Sequence, residues 1–186
     1  MLFSYYIKDE SEMYLISIYF DEKTDQCIRM YMKLIAKHTG NAKMLEGNVP
    51  PHITIAAFGA SSEEEAKDIF LNVSQNISSG TVQWVSIGTF FPGVIYAAPV
   101  LNEYLQGLSE IYSNELMKRE NLTIEKRYQP FCWFPHTTLG KHLNKEQLIS
   151  AFSIMQNHFG PFSGKVTKIG LAKTNPYTNL EVINLK

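Results

Sequence analysis

Two stretches decide the fold of this chain: Pro135-His136-Thr137-Thr138-Leu139 and Pro51-His52-Ile53-Thr54-Ile55. Both spell Pro-His-x-Thr-aliphatic, and the two histidines lie 136 − 52 = 84 residues apart in a chain of 186. In an extended strand, residues i and i+2 face the same way. Each stretch therefore sets one imidazole beside one hydroxyl, with aliphatic or β-branched neighbours on the other face. One His-x-Thr alone says little; two in the same five-residue frame imply two equivalent strands around one cleft. Two histidines and two threonines there are equipment for proton transfer around an anion, with phosphate the best fit.

The flanking elements repeat as well. Met13 to Phe20 has the β-branched and aromatic content of a strand. Asp21 can cap a helix carrying Ile28, Tyr31, Met32 and Ile35, which Gly40 ends. After a polar connection comes a strand over 52–58. Ser62-x-x-Glu65 is a capping-box pattern opening a helix with Ala66, Ile69, Phe70, Val73 and Ile77 on one stripe. A strand over 81–90 and the turn Pro92-Gly93 close the first half.

The second half follows the same order. A strand spans 94–98, and a helix with Leu101, Leu105, Leu108, Tyr112 and Leu116 reaches about Lys118. A polar-aromatic loop over 121–134 leads into a strand over 136–141. Asn144-x-x-Gln147 opens a helix with Leu148, Phe152 and Met155 buried. Strands over 166–173 and 180–185, joined at Asn175-Pro176, end the chain. The expected fold is α+β: a bilobal duplicated chain with two mainly antiparallel sheets flanking a central cleft and helices outside. It is one domain over 1–186, with dependent lobes at about 1–91 and 92–186.

Composition bounds the function. Hydrophobic residues make up 45% and aromatics 12%, which suits a packed core and not disorder. With 17 basic against 18 acidic residues, net charge is −1, which excludes an electrostatic track for long nucleic acid but not a mononucleotide or a short end. Cys27 and Cys132 form neither a framework nor a Cys-x-x-Cys pair, so two free thiols in a reducing compartment are expected. Residues 1–10 lack the basic start and apolar core of a signal peptide. The most apolar window, 82–101, is interrupted by Gly88, Pro92, Gly93 and Pro99, so it is two strands and a turn rather than a membrane span. The expectation is a cytoplasmic monomer.

The other motifs are bland. His38, His142 and His158 fall at element ends and read as surface residues. Glu63-Glu64-Glu65 is an acidic first helical turn, favoured by the helix dipole. Neither His-x-Thr has a carboxylate at ligand spacing, so no metal is expected. Lys141 stands five residues after His136, an odd offset that faces away from the site unless the strand ends or bulges near Gly140.

Two His-x-Thr motifs about eighty residues apart in a duplicated α/β chain resemble the two-histidine (2H) phosphoesterase superfamily. That superfamily includes the 2′-5′ RNA ligase-like proteins and cyclic phosphodiesterases. The resemblance runs from about Met13 to Leu185 and is carried by His52-Ile53-Thr54-Ile55 with Phe58, and by His136-Thr137-Thr138-Leu139. It implies an enzyme that opens a 2′,3′-cyclic phosphate, or a related cyclic or 2′-5′ phosphodiester, without metal or other cofactor. His52 and His136 would be the acid-base pair, with the first usually the donor, and Thr54 and Thr138 would hold phosphate oxygens. Lys141 and Phe58 would bind substrate: a small cyclic phosphate, a nucleotide or an RNA end. Phe58, Tyr96 and Trp133 are aromatics able to stack a base or fill the core. Three features depart from the family pattern: Lys141, where many bacterial relatives carry arginine; Thr137, a hydroxyl on the core-facing side; and the strand over 94–98, which lacks the basic residue often seen near there. The alternative is a non-catalytic module that binds a nucleotide or phosphometabolite in the same cleft.

Overall fold

The structure is a computed structural model and describes residues 13–47, 49–174 and 176–186. The N-terminal stretch over 1–10 and Asn175 of the expected Asn175-Pro176 turn lie outside the described residues. The elements run β1 (Met13–Phe20), α1 (Glu22–Thr39), β2 (Ile53–Gly59), α2 (Glu63–Ser74), β3 (Gly80–Phe90), β4 (Val94–Pro99), α3 (Glu103–Met117), β5 (Thr123–Ile124), β6 (Thr137–Gly140), α4 (Lys145–His158), β7 (Phe162–Lys173) and β8 (Thr178–Asn184). The strand-helix alternation is the one expected. The additions are the short β5 and a 3₁₀ turn over Lys126–Tyr128, both inside the expected loop.

Local chemistry fixes the helix ends. The Asp21 carboxylate accepts from the Thr24 amide at 3.0 Å, and Gly40 closes α1 at φ 68°, where a side chain would be strained. Ser62 caps α2 as expected, accepting from the Glu65 amide at 3.1 Å. The Glu65 carboxylate instead reaches one residue further back, to the Ser61 amide at 2.8 Å. Asn144 and Gln147 make the full reciprocal box on α4.

Among the described residues the strands form one antiparallel sheet in the order β5-β2-β1-β7-β3-β4-β6, with β8 also on β7. Where two sheets were expected, the pairing runs continuously, because β7 has 12 residues and serves both sides. Val166 opposes Phe20 of β1 and also Gly80 of β3. β1 and β3 therefore lie on opposite edges of β7, and β8 takes the rest of β3's edge, over 168–173.

The halves are interleaved. Leaving the short β5 aside, β3 and β7 are the third strands of their halves. Yet β3 pairs with β4 of the second half, and β7 pairs with β1 of the first. The helices cross over too: α1 packs on α4 and β6, and α3 packs on β2 and α2. Each group of packed elements thus draws on both sides of residue 91. Trp84 sits at the junction, fully buried, stacked on Phe162 at 4.8 Å and edge-on to Phe20 at 4.9 Å. Cutting the chain at residue 91 would strip β1 of β7 and β4 of β3. Residues 1–91 and 92–186 made separately are expected to show no cooperative unfolding transition alone, and to regain one when mixed, as followed by circular dichroism against temperature.

Candidate active site

The two motifs sit in equivalent irregularities. On β2, Ala56 opposes Ile16 and Thr54 opposes Ser17, so Ile55 is an extra residue. On β6, Gly140 opposes Ile95 and Thr138 opposes Tyr96, so Leu139 is extra. Each bulge falls on the aliphatic residue just after the threonine and re-aims the strand there. The extra residue also shifts the alternation by one. Lys141 thereby takes the phase of His136 and Thr138, not the opposite one.

The histidines are held alike. His52 Nδ1 lies 2.8 Å from the carbonyl of Pro50, and His136 Nδ1 lies 2.9 Å from the carbonyl of Phe134. A carbonyl only accepts, so each Nδ1 carries the proton and each Nε2 is the free, basic nitrogen of the neutral ring. Both rings are half-buried. Tyr19 packs edge-on to His52 at 6.3 Å, and Phe90 lies edge-on to His136 at 4.8 Å with Tyr96 at 5.5 Å.

Burial pushes the His52 imidazole below its usual range, and the charges of His136 and Lys141 push it the same way, against the pull of the Pro50 carbonyl. His136 is lowered too, by burial and by the Arg127 guanidinium, against the Phe134 carbonyl. The site thus brings together His52, His136 and Lys141, which were expected, and Arg127, which was not. Among the described residues, no three His, Cys, Asp or Glu side chains cluster as a metal ion requires.

The threonines differ. Thr54 is 8% exposed, and its hydroxyl lies 3.3 Å from that of Ser17, with the Tyr128 hydroxyl also close by. The Trp133 indole donates to the Thr54 carbonyl at 3.0 Å. Thr138 is half-buried opposite Tyr96. Phe58 does not join the site: it is fully buried in the core against Tyr14, at a ring distance of 6.0 Å, and has no face for a ligand. The cause is its place on β2, all seven residues of which are buried. Tyr96 is 7% exposed, so it shapes the His136 wall rather than a binding face.

The loop over 121–134 supplies what the two motifs do not. β5 pairs with Phe58 and Gly59, and the Glu125 amide donates to the Ala57 carbonyl at 3.0 Å. Docked on β2 in this way, the loop carries Arg127, Tyr128 and Trp133 to the site. With Phe90, Phe91, Phe134 and His136 they line a pocket of about 500 Å³. The available signal was the loop's mixture of aromatic and basic residues.

The family model described as the 2′-5′ RNA ligase superfamily matches residues 35–177. No curated protein matches the chain by sequence. Among solved structures, Escherichia coli LigT complexed with 3′-AMP superposes with a TM-score of 0.64 at 17% identity, covering 95% of this chain and 99% of that one. TT0787 of Thermus thermophilus gives 0.60 at 16%, covering 93% and 97%. Kluyveromyces marxianus Usb1 gives 0.51 at 13%, covering 90% and 97%. These likenesses establish a shared fold.

Thr137, the departure inside the second motif, also has a structural role. It is fully buried, and its hydroxyl accepts from the Trp84 indole at 3.0 Å. Replacing it by valine keeps the shape and orphans the indole N–H. Thr137→Val is expected to lower stability by about 1–3 kcal/mol, measured as a shift in the urea midpoint at unchanged slope.

Proposed function

This chain belongs to the 2′-5′ RNA ligase superfamily of 2H phosphoesterases, and we propose that it opens a 2′,3′-cyclic phosphate, or a related cyclic or 2′-5′ phosphodiester, by paired-histidine acid-base catalysis without a metal. The observation that carries the reading is the matched pair of Nδ1 hydrogen bonds to the carbonyls two residues back, at 2.8 and 2.9 Å. They fix both tautomers and leave both Nε2 atoms for proton transfer. Also in support, E. coli LigT is solved with 3′-AMP, with phosphate and with NADP+, and K. marxianus Usb1 with uridine monophosphate.

In this mechanism His136 Nε2 takes a proton from water as its oxygen bonds to phosphorus. The bond from phosphorus to one ribose oxygen breaks, and protonated His52 delivers its Nε2 proton to that leaving oxygen. Solvent exchange then resets both rings. Thr54 and Thr138 donate to nonbridging oxygens, and Lys141 holds the negative charge. Free of substrate, His52 resists protonation because it is buried and near the Lys141 ammonium and the His136 ring. The bound phosphate reverses that field and lets it act as the acid. Cys27 and Cys132 are both free thiols, and we take the protein to act as a monomer in a reducing cytoplasm.

An oligonucleotide ending in a 2′,3′-cyclic phosphate, incubated with the protein and EDTA, is expected to gain a monophosphate end. His52→Ala and His136→Ala are each expected to slow this by about 10²–10⁴-fold. Binding without product would leave the cleft a silent nucleotide-binding module. Loss of all turnover in EDTA, restored by a metal, would sink the metal-independent mechanism.

The pH profile has a definite sign. The reaction needs one histidine neutral and one protonated. Both lie below 6.5 in the free protein, so the bell of kcat/KM is expected to peak on the acid side of 6.5 and fall as pH rises. Bound phosphate raises both, so the kcat bell is expected at higher pH. Initial rates across pH 4.5 to 9 on one substrate would check both.

A further inference from the structure

We propose that the free edge of β3 over 86–90, with the groove between it and α4, receives an extended peptide of another protein as an added strand antiparallel to β3. The inference does not depend on the chemistry at the histidines.

The duplication points to it. β3 and β7 are equivalent strands, and they meet antiparallel over Gly80–Trp84 and Phe162–Val166. Beyond that junction each runs on with one side paired, β7 along β1 to Lys173 and β3 along β4 to Phe90. On the other side of β7, β8 covers 168–173. On the other side of β3, among the described residues, no strand covers 86–90. The frame thus holds a strand in one of two equivalent places and none in the other. The helix is present at both: α2 packs over β7 and β8, and α4 stands beside the free part of β3.

Where the fourth strand would lie there is a groove of about 860 Å³. Val85, Ile87 and Thr89 form its β3 wall, and Ile149, Phe152 and Phe159 much of its α4 wall. Among the described residues, no charged side chain lines it. Val85, Ile149 and Phe152 are exposed there, whereas β8 packs Leu180 and Ile183 against the core at the equivalent place. The edge also lacks the usual guards against pairing: 85–91 reads Val-Ser-Ile-Gly-Thr-Phe-Phe, without a charge or a proline.

These features select the occupant. The edge offers alternate N–H and C=O groups over roughly 17 Å, which another extended chain pairs in register. Every second side chain of that chain enters the groove, and uncharged apolar walls accept apolar side chains. The partner is therefore an extended segment of about five to seven residues with apolar residues at alternate positions, a mode of recognition in which main-chain bonds give affinity and the groove gives specificity. The site is separate from the histidines. Ile87 and Thr89 face the groove, while Gly88 and Phe90 face Tyr96 on the His136 side.

The test uses the full chain. A phage library of random ten-residue peptides is panned on the wild-type protein, with the double variant Val85→Lys, Ile149→Lys as counter-selection. Both positions are exposed, so the variant is expected to keep the wild-type melting curve by circular dichroism. Enriched peptides are synthesised and titrated by fluorescence anisotropy. They are expected to carry uncharged apolar residues at alternate positions and to slow amide hydrogen exchange over 86–90. Val85→Lys and Ile149→Lys are each expected to weaken binding at least about 10-fold, since each sets a charge in the groove. Enrichment of no peptide, binding that leaves exchange over 86–90 unchanged, or binding untouched by both substitutions overturns the proposal. So does concentration-dependent dimerisation in sedimentation that protects the same amides without peptide, because the occupant is then a second copy. None of these outcomes bears on turnover, which the His52→Ala and His136→Ala comparison tests separately.

Discussion

The double pairing of β7 is the constraint on which the rest of this molecule depends. A strand of 12 residues carries β1 along one edge and β3 followed by β8 along the other. Its register is pinned where the edges change over. The Asp21 amide donates to the Lys165 carbonyl at 2.9 Å, and the Lys165 amide donates to the Asp21 carboxylate at 2.8 Å. One residue earlier, Gly164 lets the first turn of α1 approach so closely that a Cβ there would meet Thr24. A slip of one residue would turn Val166, Ile169 and Leu171, all fully buried, toward the wrong face. The penalty for a slip is therefore spread over the core, and the relative placement of β2 and β6 inherits that rigidity.

The two histidines stand just before strands that do not pair with each other. β2 hangs on β1 and β6 on β4, and each is one strand removed from the β7–β3 junction. In the proposed mechanism, proton transfer through a shared phosphate tolerates little error in where the two Nε2 atoms sit. The loop over 121–134 adds a second tie: it leaves α3, pairs with β2, and ends just before His136, which leads into β6. The Trp133 indole on the Thr54 carbonyl joins the approach to one motif directly to the backbone of the other.

Much of this was legible in the chain. Periodicity and caps located the four long helices, because amphipathic stripes and side-chain caps are local properties. The duplicated motif located both histidines and threonines for a similar reason, since i and i+2 share a face in any strand. What was not legible is what depends on partners distant in sequence. Nothing local says that β7 will be shared, so two sheets were expected where one runs through. The phase of Lys141 turns on whether Leu139 is bulged, and that is decided by the register against β4. Phe58 looks like a binding aromatic by position after the motif, but β2 is covered on both faces, by α3 among others. Arg127 carries no motif at all and becomes a site residue only because β5 docks its loop.

The duplication is broken where function would need it broken. Ser17 on β1 and Tyr96 on β4 occupy equivalent places opposite Thr54 and Thr138. Ser17 is small and gives the Thr54 hydroxyl a partner, with the Tyr128 hydroxyl close by. Tyr96 is large and turns its ring toward His136, where Phe90 adds another face. One histidine therefore sits beside a polar cluster and feels the charges of His136 and Lys141, while the other sits in an aromatic wall and feels Arg127. Two identical sites would give two imidazoles of equal basicity, with no reason for either to be the acid. Unequal surroundings on a symmetric frame make the two imidazoles unlike, and they do so through residues outside the repeated motif.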